Sequence, residues 1–346
     1  MFSIKTSRSV YVKIGILMFS AAFLLWLGYE LFIPASSENY KLLIKIPKGT
    51  SVSAASNILT KNNLIKHPAS LIILAKLLGK EHKIHAGEYW VSPSDSLLTI
   101  LKTLEGKNGT ALVKITIPEG LRLTQIADTL ENKGLINKET FVDFINHQAK
   151  PMLSQKYHFL QQIPTRNIEG YLFPETYYFS KNTTPEKIAD AFLTQFEKQI
   201  IPIWNKAVQE NDPNTKRYTL HQLLTLASLI QKEAKIVSEM PLISSVFYNR
   251  LQKRMYLACD PTIVYAMGLT YKDVVHYKDL DIDSPYNTYR NFGLPPTPIG
   301  APGIQAFSAA LRPENTQYLF FVANKAGEHN FSYTYEQHLD IQKKLR

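Results

Sequence analysis

Cysteine is almost absent from this chain. Cys259 is the only one in 346 residues, which excludes an intramolecular disulfide and any Cys cluster holding a metal. The nine histidines are scattered. The one close pair, His82 and His85, lacks the further ligands a structural zinc site needs, so neither a metal nor a cofactor is expected. A G-x-S-x-G elbow, a P-loop and an H-E-x-x-H motif are all missing. No stretch is compositionally biased over any length, and 45% of residues are apolar, which is the composition of a folded protein. Arginine-rich stripes interleaved with aromatics are lacking as well. The formal net charge of +10 is diffuse, and three of those charges (Lys5, Arg8, Lys13) precede the first apolar run. Such a body suits an anionic polymer or surface, and nucleic acid is not expected as a partner.

A long apolar run is present. Residues 14–29, IGILMFSAAFLLWLGY, carry no charge, and the run continues past Glu30 through Leu31, Phe32 and Ile33. Taken as 14–33, it is long enough for one crossing of roughly 30 Å of hydrocarbon. Trp26 and Tyr29 lie towards its far end, basic residues precede it, and Glu30 and Glu38 follow. The positive-inside rule then predicts a cytoplasmic tail over 1–13, a transmembrane helix over 14–33 and an exported remainder. A cleaved signal peptide competes with this reading, but its apolar core would be unusually long, and no clean small-x-small site precedes Pro34. The expected setting is a bacterial inner membrane with a periplasmic body, which also fits a chain that needs no disulfide.

Past a short polar linker, PASSENY at 34–40, an internal repeat appears. IPKGTSVSAASNILTKNNLI begins at Ile46 and IPEGLRLTQIADTLENKGLI begins at Ile117. Each copy reads as a strand, a Pro-Gly turn and an amphipathic helix. A further strand-turn-helix pattern follows over 86–107. The order strand, turn, helix, helix, strand over 41–108 resembles a LysM module, either a carbohydrate-binding surface or a spacer. Residues 109–346 then read as one larger domain, with 109–150 as its strand-helix lead-in. The predicted fold class is α+β.

Within the larger domain, HQLLTLASLIQKEAKIVSEM at 221–240 reads as a helix with a misplaced carboxylate. Leu226, Leu229, Ile230, Ile236 and Val237 recur at helical spacing, and Glu233 falls on their stripe. Thr219 and Gln222 form a capping box for this helix. Ser238 is the expected cap of the next helix, with Pro241 in its first turn. For Glu233 an ion pair with Lys232, Lys235 or Arg250 competes with a general acid whose pKa is raised by desolvation. A glycosidase normally uses two carboxylates, and Glu169, Glu175, Glu239 and Asp260 are the candidates for a second. One reaction needs only one: cleavage of a muramyl glycoside by the sugar's own C6 hydroxyl, an intramolecular nucleophile.

Several stretches in order carry a resemblance: EGYLFPETYYF at 169–179, ASLIQKEA at 227–234, VFYNRL at 246–251, DPTIVYAMG at 260–268, SPYNTYRNFGLPP at 284–296, APG at 301–303 and YLFFVA at 318–323. Together with the N-terminal apolar run and the LysM-like region, they resemble the YceG-like endolytic murein transglycosylases over most of the chain. The resemblance implies cleavage within nascent glycan strands between N-acetylmuramic acid and N-acetylglucosamine, leaving 1,6-anhydromuramyl ends. It implies Glu233 as the catalytic Glu, Tyr286, Asn287 and Tyr289 as substrate contacts, and penicillin-binding proteins as partners beside the peptidoglycan itself. Cys259 departs from the polar residue expected there. A hydrolytic muramidase and a non-catalytic peptidoglycan-binding scaffold are the alternatives.

Overall fold

Both copies of the internal repeat fold alike. Strand β1 (Leu42–Ile46) runs through a turn whose Gly49 has φ +78° into a helix at Val52–Lys61. A strand at Val113–Thr116 likewise passes Gly120, φ +79°, into a helix at Leu123–Asn132. A left-handed turn of this kind is open to glycine without the Cβ clash other residues meet. The shared pattern of the two sequences is therefore a shared way of turning a strand into a helix.

The computed structural model describes residues 5–38, 40–106, 112–181, 183–269 and 275–345. It divides into two compact units, 1–113 and 114–346. In the first, helix α1 (Lys5–Phe32) precedes β1, α2 (Val52–Lys61), α3 (Pro68–Leu77), β2 (Gly87–Val91) and α4 (Leu97–Leu104). Strands β1 and β2 pair antiparallel, with Ile44 opposite Tyr89 and Ile46 opposite Gly87. Ile44, Ile46, Tyr89 and Val91 point from this ribbon into a core with Leu59, Leu71, Leu74, Ile100 and Leu101, which is the period-two pattern of a half-buried sheet. Lys107 and Asn108, where the first module was expected to end, lie outside the described residues, as do residues 1–4 of the expected tail and Asn39 of the linker.

The expected membrane crossing over 14–33 is corrected. Among the described residues no helix is long and apolar enough to cross a membrane, so the single-pass topology, with its cytoplasmic tail and periplasmic body, is not supported. The run does form a helix, but its last turn is packed on protein. Glu30 is buried at 6% exposure, accepts a hydrogen bond from Ser70 Oγ at 2.5 Å and lies 3.9 Å from His67. Leu31 packs against the core of the first unit, and the Lys66 ammonium sits 3.9 Å from the Tyr29 ring centroid. The side chains of residues 5–10, including Lys5 and Arg8, lie outside the described ones.

The second unit opens with β3 (Val113–Thr116), α5 (Leu123–Asn132), α6 (Lys138–Asp143) and α7 (Ala149–Leu153), followed by β4 (Thr176–Phe179), which pairs with β3. Helices α8 (Pro185–Gln199), α9 (Ile201–Gln209), α10 (Pro213–Arg217), α11 (Leu220–Glu233), α12 (Met240–Gln252) and α13 (Asp260–Ala266) come next. Helix α14 (Ile304–Leu311), the hairpin β5 (Phe320–Ala323) and β6 (His329–Ser332), and α15 (Tyr335–Leu345) complete it. The aromatic stretch at 169–179 goes inward. Tyr171 lies 4.9 Å from Phe196 and Tyr177 lies 4.4 Å from Phe192, centroid to centroid, so these rings build core.

Candidate active site

Helix α11 is buried on nearly all sides: Leu220, Leu223, Leu224, Leu226, Ala227, Leu229 and Ile230 are each at most 3% exposed. A helix apolar all round is a core helix, and its polar residues are satisfied within that core. Thr225 donates to the His221 carbonyl at 2.8 Å and Ser228 to the Thr225 carbonyl at 2.7 Å. The Thr219–Gln222 capping box forms as the sequence predicts. The Pro-Gly-rich loop braces the helix from outside. Ile299 N–H donates to Ser228 Oγ at 3.0 Å, Gly303 N–H to Gln231 Oε1 at 3.0 Å, and His221 Nε2 donates to the Pro296 carbonyl at 2.9 Å.

The helix stops at Glu233, which corrects the longer stripe read from the sequence. Ala234 is extended (φ −74°, ψ 124°) although its N–H still reaches the Ile230 carbonyl. Ile236 is extended too, and Val237 is 55% exposed. Neither continues the apolar face, and Ser238 caps nothing: a 3-10 turn over Val237–Glu239 leads into α12, whose N-cap is Glu239. Glu233 thus occupies a helix C-terminus, where the macrodipole disfavours a negative charge.

From that end the Glu233 carboxyl borders a cleft of about 1070 Å³. Also lining the cleft are Arg250 from α12, Ala258 and Asp260 ahead of and at the start of α13, residues 275–278 with Leu280, Tyr289, the β5 strand, His329, and Tyr335, His338 and Gln342 of α15. The carboxyl is closely surrounded, although part of the residue's surface stays open to the cleft. Burial pushes its pKa from 4.5 up to about 7; the Cys259 thiol and Arg250 pull it down, and the nearby Asp260 charge pushes it further up. Among the described residues Glu233 forms no ion pair. Arg250 Nε and Nη1 donate to the carbonyls of Leu319 at 2.7 Å and Leu257 at 2.6 Å, and Lys232 Nζ donates to the Gly120 carbonyl at 3.3 Å. At neutral pH such a group is partly protonated and can both give and take a proton.

The neighbouring wall is tightly built. Thr288 holds the segment before α13 through Ala258 N–H on its carbonyl at 3.1 Å and Cys259 N–H on its hydroxyl at 3.0 Å. Thr262 meets Thr288 Oγ1 at 2.9 Å. Ala258 sits at φ +47°, a left-handed conformation that costs a non-glycine residue about 1–2 kcal/mol. This clamp fixes Cys259, itself 1% exposed, against Glu233.

The other residues singled out from the sequence scatter. Tyr289 lines the cleft and its hydroxyl donates to Asp260 Oδ1. Tyr286 hydrogen-bonds Thr297 Oγ1 at 2.7 Å and packs on Tyr265, away from the cleft lining. Asn287 is wholly buried: its amide donates to the carbonyls of Leu280 and Ile282 at 2.8 and 2.9 Å, and its oxygen accepts the Tyr289 N–H at 3.0 Å. It shapes the loop that carries Tyr289. Of the candidates for a second carboxylate, Asp260 alone lines the cleft. Glu239 is taken by His329 Nδ1 at 2.7 Å. Glu175 is exposed and accepts the Thr176 N–H. Glu169 is buried elsewhere, beneath Leu123 and Tyr265. The β5 and α15 side of the cleft carried no chemical motif of its own, beyond the strand pattern of YLFFVA.

The YceG-like family model matches residues 44–344. A Bacillus subtilis protein named endolytic murein transglycosylase is 37% identical over 92% of this chain and 88% of its own length. A Streptococcus pneumoniae protein of the same name is 33% identical over 84% of this chain, which spans 56% of that relative. The crystal structure of a yceG-like protein from Listeria monocytogenes superposes with a TM-score of 0.60, at 34% identity, covering 87% of this chain and 98% of the other. The chain belongs to the YceG-like family.

Proposed function

We infer that this chain does what its relatives are named for: it is an endolytic lytic transglycosylase acting on peptidoglycan, with Glu233 as its acid–base group. One observation carries the assignment of Glu233. It is a carboxyl without an ion pair at the end of a buried helix, with a pKa raised to about 7, opening on a large cleft. Its proton goes to the glycosidic oxygen as the bond from C1 of N-acetylmuramic acid breaks. The same carboxylate then takes the C6 hydroxyl proton as O6 closes on C1. No water enters, so one carboxyl serves both halves of the reaction, and the tethered C6 hydroxyl has the advantage of an intramolecular nucleophile.

Cleavage between N-acetylmuramic acid and N-acetylglucosamine inside nascent strands, with termination of glycan growth near penicillin-binding proteins, extends the same reading. So does the division into a LysM-like module at 41–108, supported by its strand-helix-helix-strand order, and a catalytic part at 109–346. Asp260 in the cleft favours one rival, a muramidase holding a water on a second carboxylate. Mass spectrometry of digested glycan strands separates the two: anhydro ends one water lighter than reducing ends are expected, and reducing ends alone would assign the muramidase reaction.

A further inference from the structure

One side of the cleft is aromatic without being core. Phe320 of β5 and Tyr335 and His338 of α15 cluster there, with centroid separations of 5.8 Å (Phe320–Tyr335), 5.5 Å (Phe320–His338) and 6.2 Å (Tyr335–His338). The two pairs that include His338 are stacked, at 30° and 29°. Tyr335 and His338 are three residues apart and Gln342 four further on, so all three share one face of α15, and all three line the cleft. Helix α15 has no buried residue, and Tyr335 is 60% exposed. Rings grouped this way seal no interior; they line the cleft, and Tyr335 leaves its ring largely exposed.

The polar part of the cluster is equally specific. Gln342 Nε2 lies 3.0 Å from His338 Nε2. An amide nitrogen only donates, so His338 Nε2 accepts and the ring proton sits on Nδ1. Nδ1 has no hydrogen-bond partner among the described residues, and a buried donor left without an acceptor is costly. Arg250 lies over Phe320, 5.2 Å from the ring centroid. Its charge and the local burial both lower the His338 pKa, which keeps the imidazole neutral.

We propose that Tyr335, Phe320 and His338 form a saccharide-binding shelf beside Glu233. It would take one pyranose ring of the glycan strand by its apolar face on the exposed Tyr335 ring, with Phe320 and His338 packed behind that ring. A sugar ring offers a flat face of weakly positive C–H groups, which the negative face of an aromatic ring favours. The shelf itself carries no charge, which argues for the uncharged sugar over the carboxylate-bearing peptide stem. The proposal rests on Glu233 as the reaction centre: a strand cut internally must be gripped beside the scissile bond, and the shelf supplies such a grip.

The full chain and peptide-free glycan strands test it. Tyr335→Ala is expected to raise KM about tenfold, the scale of losing one aromatic anchor, with kcat nearly unchanged. Tyr335→Phe, which keeps the ring, restores most of the affinity. His338→Ala raises KM too, and melting temperatures of the variants stay near wild type. Direct binding of the same strands to Glu233→Gln and to Glu233→Gln/Tyr335→Ala should show the same tenfold weakening without turnover. An unchanged KM for Tyr335→Ala, or a loss confined to strands that bear stem peptides, overturns the shelf. If Glu233→Gln still cleaves, the reaction centre is wrong, while the KM comparison in the wild-type background still reads the shelf.

Discussion

Glu169 and Glu233 lie in the same unit, and burial raises the pKa of each to about 7. Their surroundings differ. Glu169 is 5% exposed and fully occupied: Leu123 N–H donates at 2.8 Å and the Tyr265 hydroxyl at 3.3 Å, with Arg122 close by. It ties the start of α5 to the 167–171 turn. Glu233 has a weak thiol donor, a guanidinium spent on two carbonyls, and an open side facing the cleft. A raised pKa therefore reports desolvation, and it is the unoccupied side of the group that reports chemistry.

The largest effect that would break this contrast is on activity. Glu233→Gln is expected to lower the rate of anhydro-end formation by roughly 10²–10⁴-fold, the worth of a positioned general acid–base group, with an unchanged circular dichroism spectrum. Glu169→Gln, which keeps an oxygen for Leu123, is expected to stay within a few-fold of wild type. Comparable losses in both variants would dissolve the distinction.

On stability the two are alike. Each carboxyl has a folded pKa above its unfolded value, so its stabilising contribution is complete below about pH 4.5 and is lost as pH rises through about 7. Because the two carboxyls share both values, that loss is about 3 kcal/mol for each by linkage. The fall in urea midpoint across this window should therefore shrink by a similar amount in Glu169→Gln and in Glu233→Gln. A pH dependence left intact by Glu233→Gln would mean that its folded pKa is not raised, and with it the acid–base reading of the cleft would fall.

Much of this was legible beforehand. The two Pro-Gly turns, the Thr219–Gln222 cap and the anomaly of Glu233 are local patterns, and local patterns can be read from spacing. Three things were not. Ile236 and Val237 continue the helical spacing, yet the chain turns extended at Ala234, an outcome no period records. The apolar run at 14–33 reads as a crossing, but the burial of Glu30 against Ser70 and the packing of Leu31 against the core depend on residues decades away in sequence. Asn287 is implied as a substrate contact by its place in the SPYNTYRNFGLPP stretch, and its amide nitrogen donates to the carbonyls of Leu280 and Ile282. The second depends on distant residues, while the first and third are irregular backbone and loop contacts, and composition and period carry none of these.

The smallest prediction sharpens the contrast at its weakest contact. The Cys259 thiol lowers the Glu233 pKa, and burial holds that thiol well above its ordinary range, so it stays a donor throughout the working pH span. Cys259→Ala removes the donor and leaves the Thr288 clamp, which uses only the Cys259 backbone. The alkaline limb of kcat/KM, where Glu233 loses the proton it must donate, should then move upward by about 0.3–0.5 pH unit, the scale of a weak neutral hydrogen bond. Cys259→Ser supplies a stronger donor of nearly the same shape and should move the limb downward. Opposite shifts from two substitutions at one buried position are hard to obtain from loosened packing, which would move both the same way. They would mark Glu233 as the group that titrates in catalysis, whereas Glu169, remote from the thiol, would leave the limb where it stands.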